Sequence, residues 1–322
     1  MRASLLHSKD IDKQMWDRLV AESPQGSIFI ETGYLDTLLS NDWSGIEVYE
    51  DNELIAIMPV LIKKKWGFEY ALQPTMSKYW GVVFAKKAYS GTQKEFSFKK
   101  DVLAAAIDCI PKGLAMFNYN FHPDFDYALP FFWKSYSLRT SYTYILDTRG
   151  KTESEILSNY SAQLKNSIRT AQKNEITIIR DNSGSALLKI LDENRKSGKT
   201  ILDPGYYEML DRIINNGSKN GKGFSLTAVD KNGEEVASSV YLQDSHTVYA
   251  LIHIMAKVFS KTDALSLLVH KAVLKATSEN CKFDFLGSTI EPVEAFNRRF
   301  GAKPVSYLNI SKKSRLLRLF GK

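Results

Sequence analysis

The feature that most limits what this chain can fold into is an order of elements that occurs twice along it. Apolar spacing of helical period marks 11–21 and 34–40, and the turn-forming Pro24-Gln25-Gly26 separates them. A β-meander follows over 46–50, 54–62, 68–73 and 79–84, with Asp51-Asn52 as its first tight turn. A long helix at 93–109, with Phe96, Phe98, Val102, Leu103, Ala106 and Ile107 as its apolar positions, then leads to a strand at 114–119. The second half runs through the same order. Helices are expected over 156–173, 184–196 and 206–216, then strands over 224–229, 236–242 and 247–254 around a Lys231-Asn232-Gly233 turn. A helix at 264–278, a strand at 282–286, a helix at 292–300 and a strand at 304–310 complete it.

Two local correspondences support a repeated unit. Leu54 to Val60 follows a turn as Val236 to Val240 does, and Phe117-Asn118-Tyr119 follows a long helix as Phe283-Asp284-Phe285 does. Runs of strands punctuated by single helices predict mixed sheets with helices on both faces, not a strictly alternating doubly wound sheet. A chain of 322 residues with 44% hydrophobic and 25% charged residues suits two ordinary domains, each with its own core. The polar stretch Asp147-Thr148-Arg149-Gly150-Lys151 is the expected joint, which divides the chain into 1–148 and 149–322.

The formal net charge of +7 favours anionic partners such as phosphorylated cofactors, tRNA or an acidic membrane surface, although a basic balance also occurs without any of them. Cys109 and Cys281 sit in apolar segments, with no CxxC pair and only five histidines, so buried free thiols are expected and no metal centre. The first ten residues lack the apolar core of a signal peptide, and no stretch of about 20 apolar residues could span a bilayer. A cytoplasmic protein is the expectation.

Four segments carry a resemblance. Pro130-Phe131-Phe132-Trp133-Lys134-Ser135-Tyr136 with Arg139 to Asp147, the basic Asn166 to Lys173, Phe283 to Ser288, and Phe296 to Pro304 occur in an order similar to that of the FemAB family. The resemblance implies an α/β (mixed α+β) fold of two tandem GNAT-like units, each a mixed, largely antiparallel sheet flanked by helices. It also implies an N-acyltransferase or aminoacyltransferase. The donor would be acyl-CoA or aminoacyl-tRNA, and the acceptor an amine on a small molecule or a cell-envelope or polysaccharide precursor. The chain departs from the pattern at Ala256 to Ala264, where GNAT folds cradle a pyrophosphate on a glycine-rich turn and this sequence has no glycine. It also lacks the long helical arm of some cross-bridge enzymes.

Acyl transfer to an amine needs a neutral amine, a polarised carbonyl and close positioning, and the sequence offers no Ser-His-Asp or Cys-His set. Asp284 alternates with Phe283 and Phe285 on a strand, so it either faces a cleft, where it accepts a proton or orients an amine, or is a solvent-facing or turn-capping aspartate. Tyr249 and His253, catalytic candidates with Asp284, are four positions apart and are expected on one strand face. His253 is then a candidate base or a satisfied structural histidine. Lys257, Lys261 and Thr262 flank the turn before the 264–278 helix, where they meet a cofactor phosphate or simply line a solvated loop. Lys78, Tyr79 and Trp80 are the acceptor-binding candidates, with an aromatic core cap as the other reading of that loop. Arg298, Arg299 and Lys303 form a basic cluster that either binds substrate or leaves Arg299 packing beside Phe300 while Arg298 faces out.

Two further readings complete the expectations. The fold can serve as a non-catalytic binding module for a polyanion or a protein partner. The tail Ser311 to Lys322 mixes cations with Leu316, Leu317, Leu319 and Phe320, and can lie on an anionic membrane face or dock on its own domain.

Overall fold

A strand that the sequence pattern does not announce begins the fold: β1 (Arg2–His7). It is followed by α1 (Lys13–Glu22), α2 (Thr32–Leu39), β2 (Ser44–Glu50), β3 (Glu53–Val60), β4 (Ile62–Lys65), β5 (Phe68–Leu72), β6 (Val83–Phe84), α3 (Thr92–Asp108), β7 (Met116–Asn120) and α4 (Leu129–Trp133). The chain continues with β8 (Ser137–Asp147), α5 (Glu153–Ser158), α6 (Ala162–Lys173), β9 (Thr177–Arg180), α7 (Ser185–Lys196), α8 (Pro204–Lys219), β10 (Gly223–Val229), β11 (Glu235–Gln243), β12 (Thr247–Met255), α9 (Ala264–Ser278), β13 (Lys282–Asp284), α10 (Glu291–Arg298) and β14 (Lys303–Lys313). The computed structural model describes residues 1–196, 204–256, 262–287, 289–315 and 317.

Local chemistry accounts for several boundaries. The Asp12 carboxylate accepts from the N–H groups of Gln14 and Met15 and starts α1. The helix expected as one piece over 156–173 is two. Thr152 and Glu155 form a capping box at the start of α5, and Ser161 restarts the helix by accepting from the Leu164 N–H. Asp51 and Asn52 both have positive φ, as a two-residue hairpin turn joining β2 and β3 requires. The last strand runs to Lys313, so Ser311 to Lys313 belong to a sheet and not to a tail. Residues 316 and 318–322 of the expected amphipathic tail lie outside the described residues.

The chain forms two compact units, Met1–Ser141 with Ser306–Lys322, and Tyr142–Val305. The first holds a four-stranded sheet in the order β1-β2-β3-β6 and a set of strands in the order β4-β5-β7-β14. Its core gathers Trp16 and Leu19 of α1, Val102, Leu103 and Ala106 of α3, and Phe117 and Tyr119 of β7. The second holds strands in the order β8-β13-β12-β11-β10-β9. Its core gathers Leu164, Ile168 and Ala171 of α6, Leu268, Val269 and Ala272 of α9, and Tyr241, Val248 and Phe283 of the sheet. The mixed α/β class therefore matches the expectation.

The division differs from 1–148 and 149–322 in an instructive way. In each unit a helix, α3 or α9, leads to a strand parallel to the one before it: β5 with β7, and β12 with β13. The strand that closes the first unit against β7 is β14, from the end of the chain. The strand that pairs with β13 is β8, which precedes the expected joint. The polar turn at 147–151 exists, with Gly150 at φ 66°, but it follows a strand that already belongs to the second unit.

Candidate functional site

The two parallel strand pairs reach the same point and then behave differently. In the second unit the β12–β13 ladder has three rungs, Thr247–Lys282, Val248–Phe283 and Tyr249–Asp284, while β12 runs on to Met255. Past Asp284 the Phe285 N–H donates to the Tyr144 carbonyl of β8 at 2.9 Å. Leu286 and Gly287 then turn the chain through the left-handed region, both at φ 54°. A Cβ on Gly287 would lie 2.4 Å from the Tyr142 carbonyl oxygen and 2.5 Å from the Thr143 Cα, so only glycine lets the turn lie flat on β8. Among the described residues, β12 beyond Tyr249 has no ladder to β13.

In the first unit the matching ladder ends at Leu72–Asn118, and the space beyond it is filled. The Gln73 side chain accepts from the Asn120 N–H at 2.7 Å and donates to the carbonyls of Ser77 and Lys78. The Trp80 N–H donates to the Asn120 carbonyl at 2.6 Å. Its own loop therefore closes the first opening, and the opening in the second unit is the candidate site.

No family model matches this chain, and no curated protein matches it in sequence. Solved structures do match its fold. FemX superposes with a TM-score of 0.69 at 13% identity, covering 96% of this chain and 97% of that one. L-PGS from Bacillus licheniformis gives 0.55 at 13%, covering 96% and 94%. A tandem GNAT protein from the clavulanic acid biosynthesis pathway gives 0.54 at 7%, covering 97% and 98%. The chain has a FemAB-like tandem GNAT fold.

Within that fold, Asp284 marks the apex of the opening. Its side chain is buried, and Oδ1 accepts from the Thr143 hydroxyl at 2.5 Å and from the Leu286 N–H at 2.8 Å. Two donors on one oxygen fix the turn that follows, which is the capping reading of this residue. Tyr249 is its register partner on β12, and the Tyr249 hydroxyl donates to Asp244 Oδ2 at 2.8 Å.

His253 does not share their face, contrary to its even spacing from Tyr249. The register of β11 against β12 slips between Val240 and Tyr241, so Tyr249 lies opposite Leu242 while His253 lies opposite Ser239. Leu242 and Ser239 are an odd number of residues apart and face opposite sides, so the bulge turns His253 over. Its Nδ1 shares a 2.7 Å hydrogen bond with the Ser239 hydroxyl, and its ring meets Tyr241 edge-on at 5.7 Å. Tyr241 packs in the core formed with α6 and α9. Burial pushes His253 down to about 4, so it is a neutral structural residue there and a poor base at neutral pH.

The acceptor candidates fall into two environments. Trp80 is fully buried in the core of the first unit, edge-on to Tyr119 at 6.2 Å, and is structural. Tyr79 is also buried, packed between Phe29, His122 and Tyr307. Lys78 is half-buried, with its ammonium 4.9 Å over the Tyr307 ring. Beside them Asn309 donates to the side-chain oxygens of Asn118 and Asn120 at 2.7 and 2.9 Å.

The basic cluster is only partly available. Arg298 is exposed and pairs with Glu294 at 3.0 Å, and Glu294 also accepts from the Tyr144 hydroxyl at 3.0 Å. Arg299 is half-buried and its carbonyl accepts from the Ser161 N–H, while Lys303 is exposed. Of the cofactor candidates, Lys257 and Lys261 lie outside the described residues. Thr262 is half-buried just before Asp263, the residue that leads into α9. Among the described residues no cluster of His, Cys, Asp or Glu could hold a metal ion, and no helix is long and apolar enough to cross a membrane.

Sequence reasoning passed over Thr143, Gln73 and the Leu286-Gly287 turn. The Gly287 position was legible as a turn signal. The partners of Thr143 and Gln73 lie far away in the chain and were not.

Proposed function

We propose that this chain is an N-acyltransferase or aminoacyltransferase whose chemistry takes place at the opening between β12 and β13 of the second unit. The observation that carries this reading is the three-rung ladder ending at Tyr249–Asp284, set against the equivalent opening of the first unit, which Gln73 to Trp80 fill. A strand edge without a ladder partner can bind an extended, amide-bearing arm such as the pantetheine of an acyl-CoA by main-chain hydrogen bonds. It can also aim an N–H at the oxygen of a tetrahedral intermediate.

In the transfer, the lone pair of a neutral amine attacks the donor carbonyl. A C–N bond forms, the C–S bond of a thioester or the C–O bond of an aminoacyl ester breaks, and the amine proton passes to the departing sulfur or oxygen. Asp284 and Thr143 position the apex in this reading, and His253 takes no proton. The acceptor amine would belong to a small molecule or to an envelope or polysaccharide precursor. A cytoplasmic place belongs to the same proposal.

A thermal-shift panel with acetyl-CoA, longer acyl-CoAs, free CoA and uncharged tRNA tests it. A ligand at 100 times its dissociation constant stabilises by about 2.7 kcal/mol, which such a panel resolves. A shift with CoA compounds supports thioester chemistry, and a shift with tRNA alone supports aminoacyl transfer. Silence from both classes refutes the reading and favours a non-catalytic module for a protein partner or another polyanion.

A further inference from the structure

Strand directions in the first unit bring cations and exposed aromatic rings to one end of one sheet. β5 runs parallel to β7 from the Tyr70–Met116 rung, so the β4–β5 hairpin tip lies at the start of β7. β14 runs antiparallel to β7, and its last residues, Lys312 and Lys313, lie opposite Phe117 and Met116 at that same end. The Ser314 N–H donates to the Ala115 carbonyl, which holds the chain there as it leaves the strand. Lys134, directly after α4, joins them, since its carbonyl accepts from the Lys312 ammonium at 2.8 Å. Lys112, Lys134, Lys312 and Lys313 line one groove.

The hairpin tip reads Lys63-Lys64-Lys65-Trp66-Gly67-Phe68. Trp66 is 80% exposed and Phe68 is 42% exposed, with the Lys65 ammonium 4.4 Å over the Trp66 ring. On α4, Phe132 and Trp133 are 60% and 58% exposed. A folded domain has no reason of its own to hold four large rings in water at one end. Acidic groups at this end are few and already engaged: Glu69 bridges Lys64, and Asp108 bridges Lys134.

We propose that this end of the first unit is a docking surface for an anionic lipid bilayer, with Trp66 and Trp133 entering the interface and the surrounding lysines meeting lipid phosphates. Tryptophan favours the headgroup level because its ring is apolar and its N–H is not, and clustered Lys and Arg add attraction to anionic lipid. Single-stranded nucleic acid calls instead for rings set inside a basic groove, where successive bases stack. Here the groove holds the lysines, while the exposed rings stand on a hairpin tip and a short helix. The proposal does not depend on the transferase reading. It places membrane contact on folded elements of the first unit and not on the tail alone.

The molecule supplies its own probe. Of the five tryptophans, Trp16, Trp43 and Trp80 are buried, and the two exposed ones are Trp66 and Trp133. The full chain is mixed with vesicles of phosphatidylcholine, with and without phosphatidylglycerol, at low salt. Co-sedimentation and tryptophan emission are then followed. Expected are binding and a blue shift with the anionic vesicles only, both reversed by added salt. The variant Trp66→Asn/Trp133→Gln should lose co-sedimentation with the anionic vesicles, and Asn suits the left-handed turn position of Trp66 at φ 50°. Lys64→Gln/Lys65→Gln should weaken binding about fivefold for each charge removed. Lys231→Gln, on a turn of the second unit, should leave binding unchanged. The proposal is overturned by a lack of vesicle binding at low salt. It is equally overturned by binding that survives both double variants, or by a blue shift with tRNA and none with vesicles.

Discussion

Replacing Asp284 separates a carboxylate that organises the site from one that reacts in it. In Asp284→Ala the Thr143 hydroxyl and the Leu286 N–H lose the oxygen they share, at 2.5 and 2.8 Å, in a region where both Thr143 and Asp284 are buried. A hydrogen bond to a charged group contributes about 1.5–3 kcal/mol, and a buried donor left without an acceptor adds its desolvation penalty. The net expectation is a loss of about 3 kcal/mol. Asp284→Asn keeps an oxygen where Oδ1 was, so it should recover most of the loss. Asp284→Ala combined with Thr143→Val should cost less than the sum of the two, by about 1–2 kcal/mol, because the pair interacts directly.

The choice of assay follows from the sequence. All five tryptophans lie within residues 1–141, so tryptophan emission reports on the first unit alone. Urea unfolding should therefore be followed by emission and by far-UV circular dichroism together, since two units need not unfold in one step. The Asp284 variants should move the dichroism transition more than the emission transition. Amide exchange at Leu286 should lose its protection in the Ala variant and keep it in the Asn variant. If Asp284→Ala leaves stability within about 0.5 kcal/mol of the parent, or if Asn is as damaging as Ala to both stability and exchange, the positioning role is wrong. If Asn preserves the fold but abolishes transfer, the charge itself takes part in the chemistry.

Further predictions rest on Gly287 and His253 of the second unit, with Gly67 of the first as a comparison. Gly287→Ala meets backbone at 2.4 and 2.5 Å as well as the left-handed penalty, so it should cost about 3 kcal/mol or more. Gly67→Ala, at φ 78° with open space around it, should cost only about 1 kcal/mol in the same denaturation assay. His253 and His270 are both pushed down by burial to about 4 from 6.5. The unfolded chain therefore binds protons between those values that the folded chain does not. Their stability contribution is complete above pH 6.5 and is lost as pH falls toward 4, by about 3 kcal/mol for His253. His253→Gln should flatten that slope while leaving the pH profile of transfer unchanged.

Elements governed by local rules could be read from the sequence. The 264–278 helix and α9 coincide, and the β10-β11-β12 meander and both hairpin turns lie within a residue or two of their expected places. What stayed hidden depends on partners far away in the chain. The alternation in Arg139 to Asp147 is visible, but only pairing with β13 makes it a strand of the second unit. The period-2 rule put His253 beside Tyr249, and one bulge in β12 reversed it. The ring-rich loop at 78–80 reads the same whether its rings face solvent or core. The structure buries Tyr79 and Trp80 and leaves Lys78 half-buried.

The contrast between the halves is the stronger argument for where chemistry belongs. Asn118 and Asp284 occupy the same position, the last rung of a parallel pair that follows a long helix. In the first unit that residue is a neutral amide, tied through Asn309 into a side-chain ladder, and the strand edge beyond it is consumed by Gln73 and Trp80. In the second it is a buried carboxylate holding a left-handed turn away from β12. Burying a carboxyl group is costly unless its hydrogen bonds are in place, and nothing in the folding of a sheet requires one there. The amide in the first unit shows that the architecture stands without it. Among the described residues β12 has no ladder to β13 past this buried carboxyl group, and its place there is better explained by what that strand edge does than by the stability of the fold.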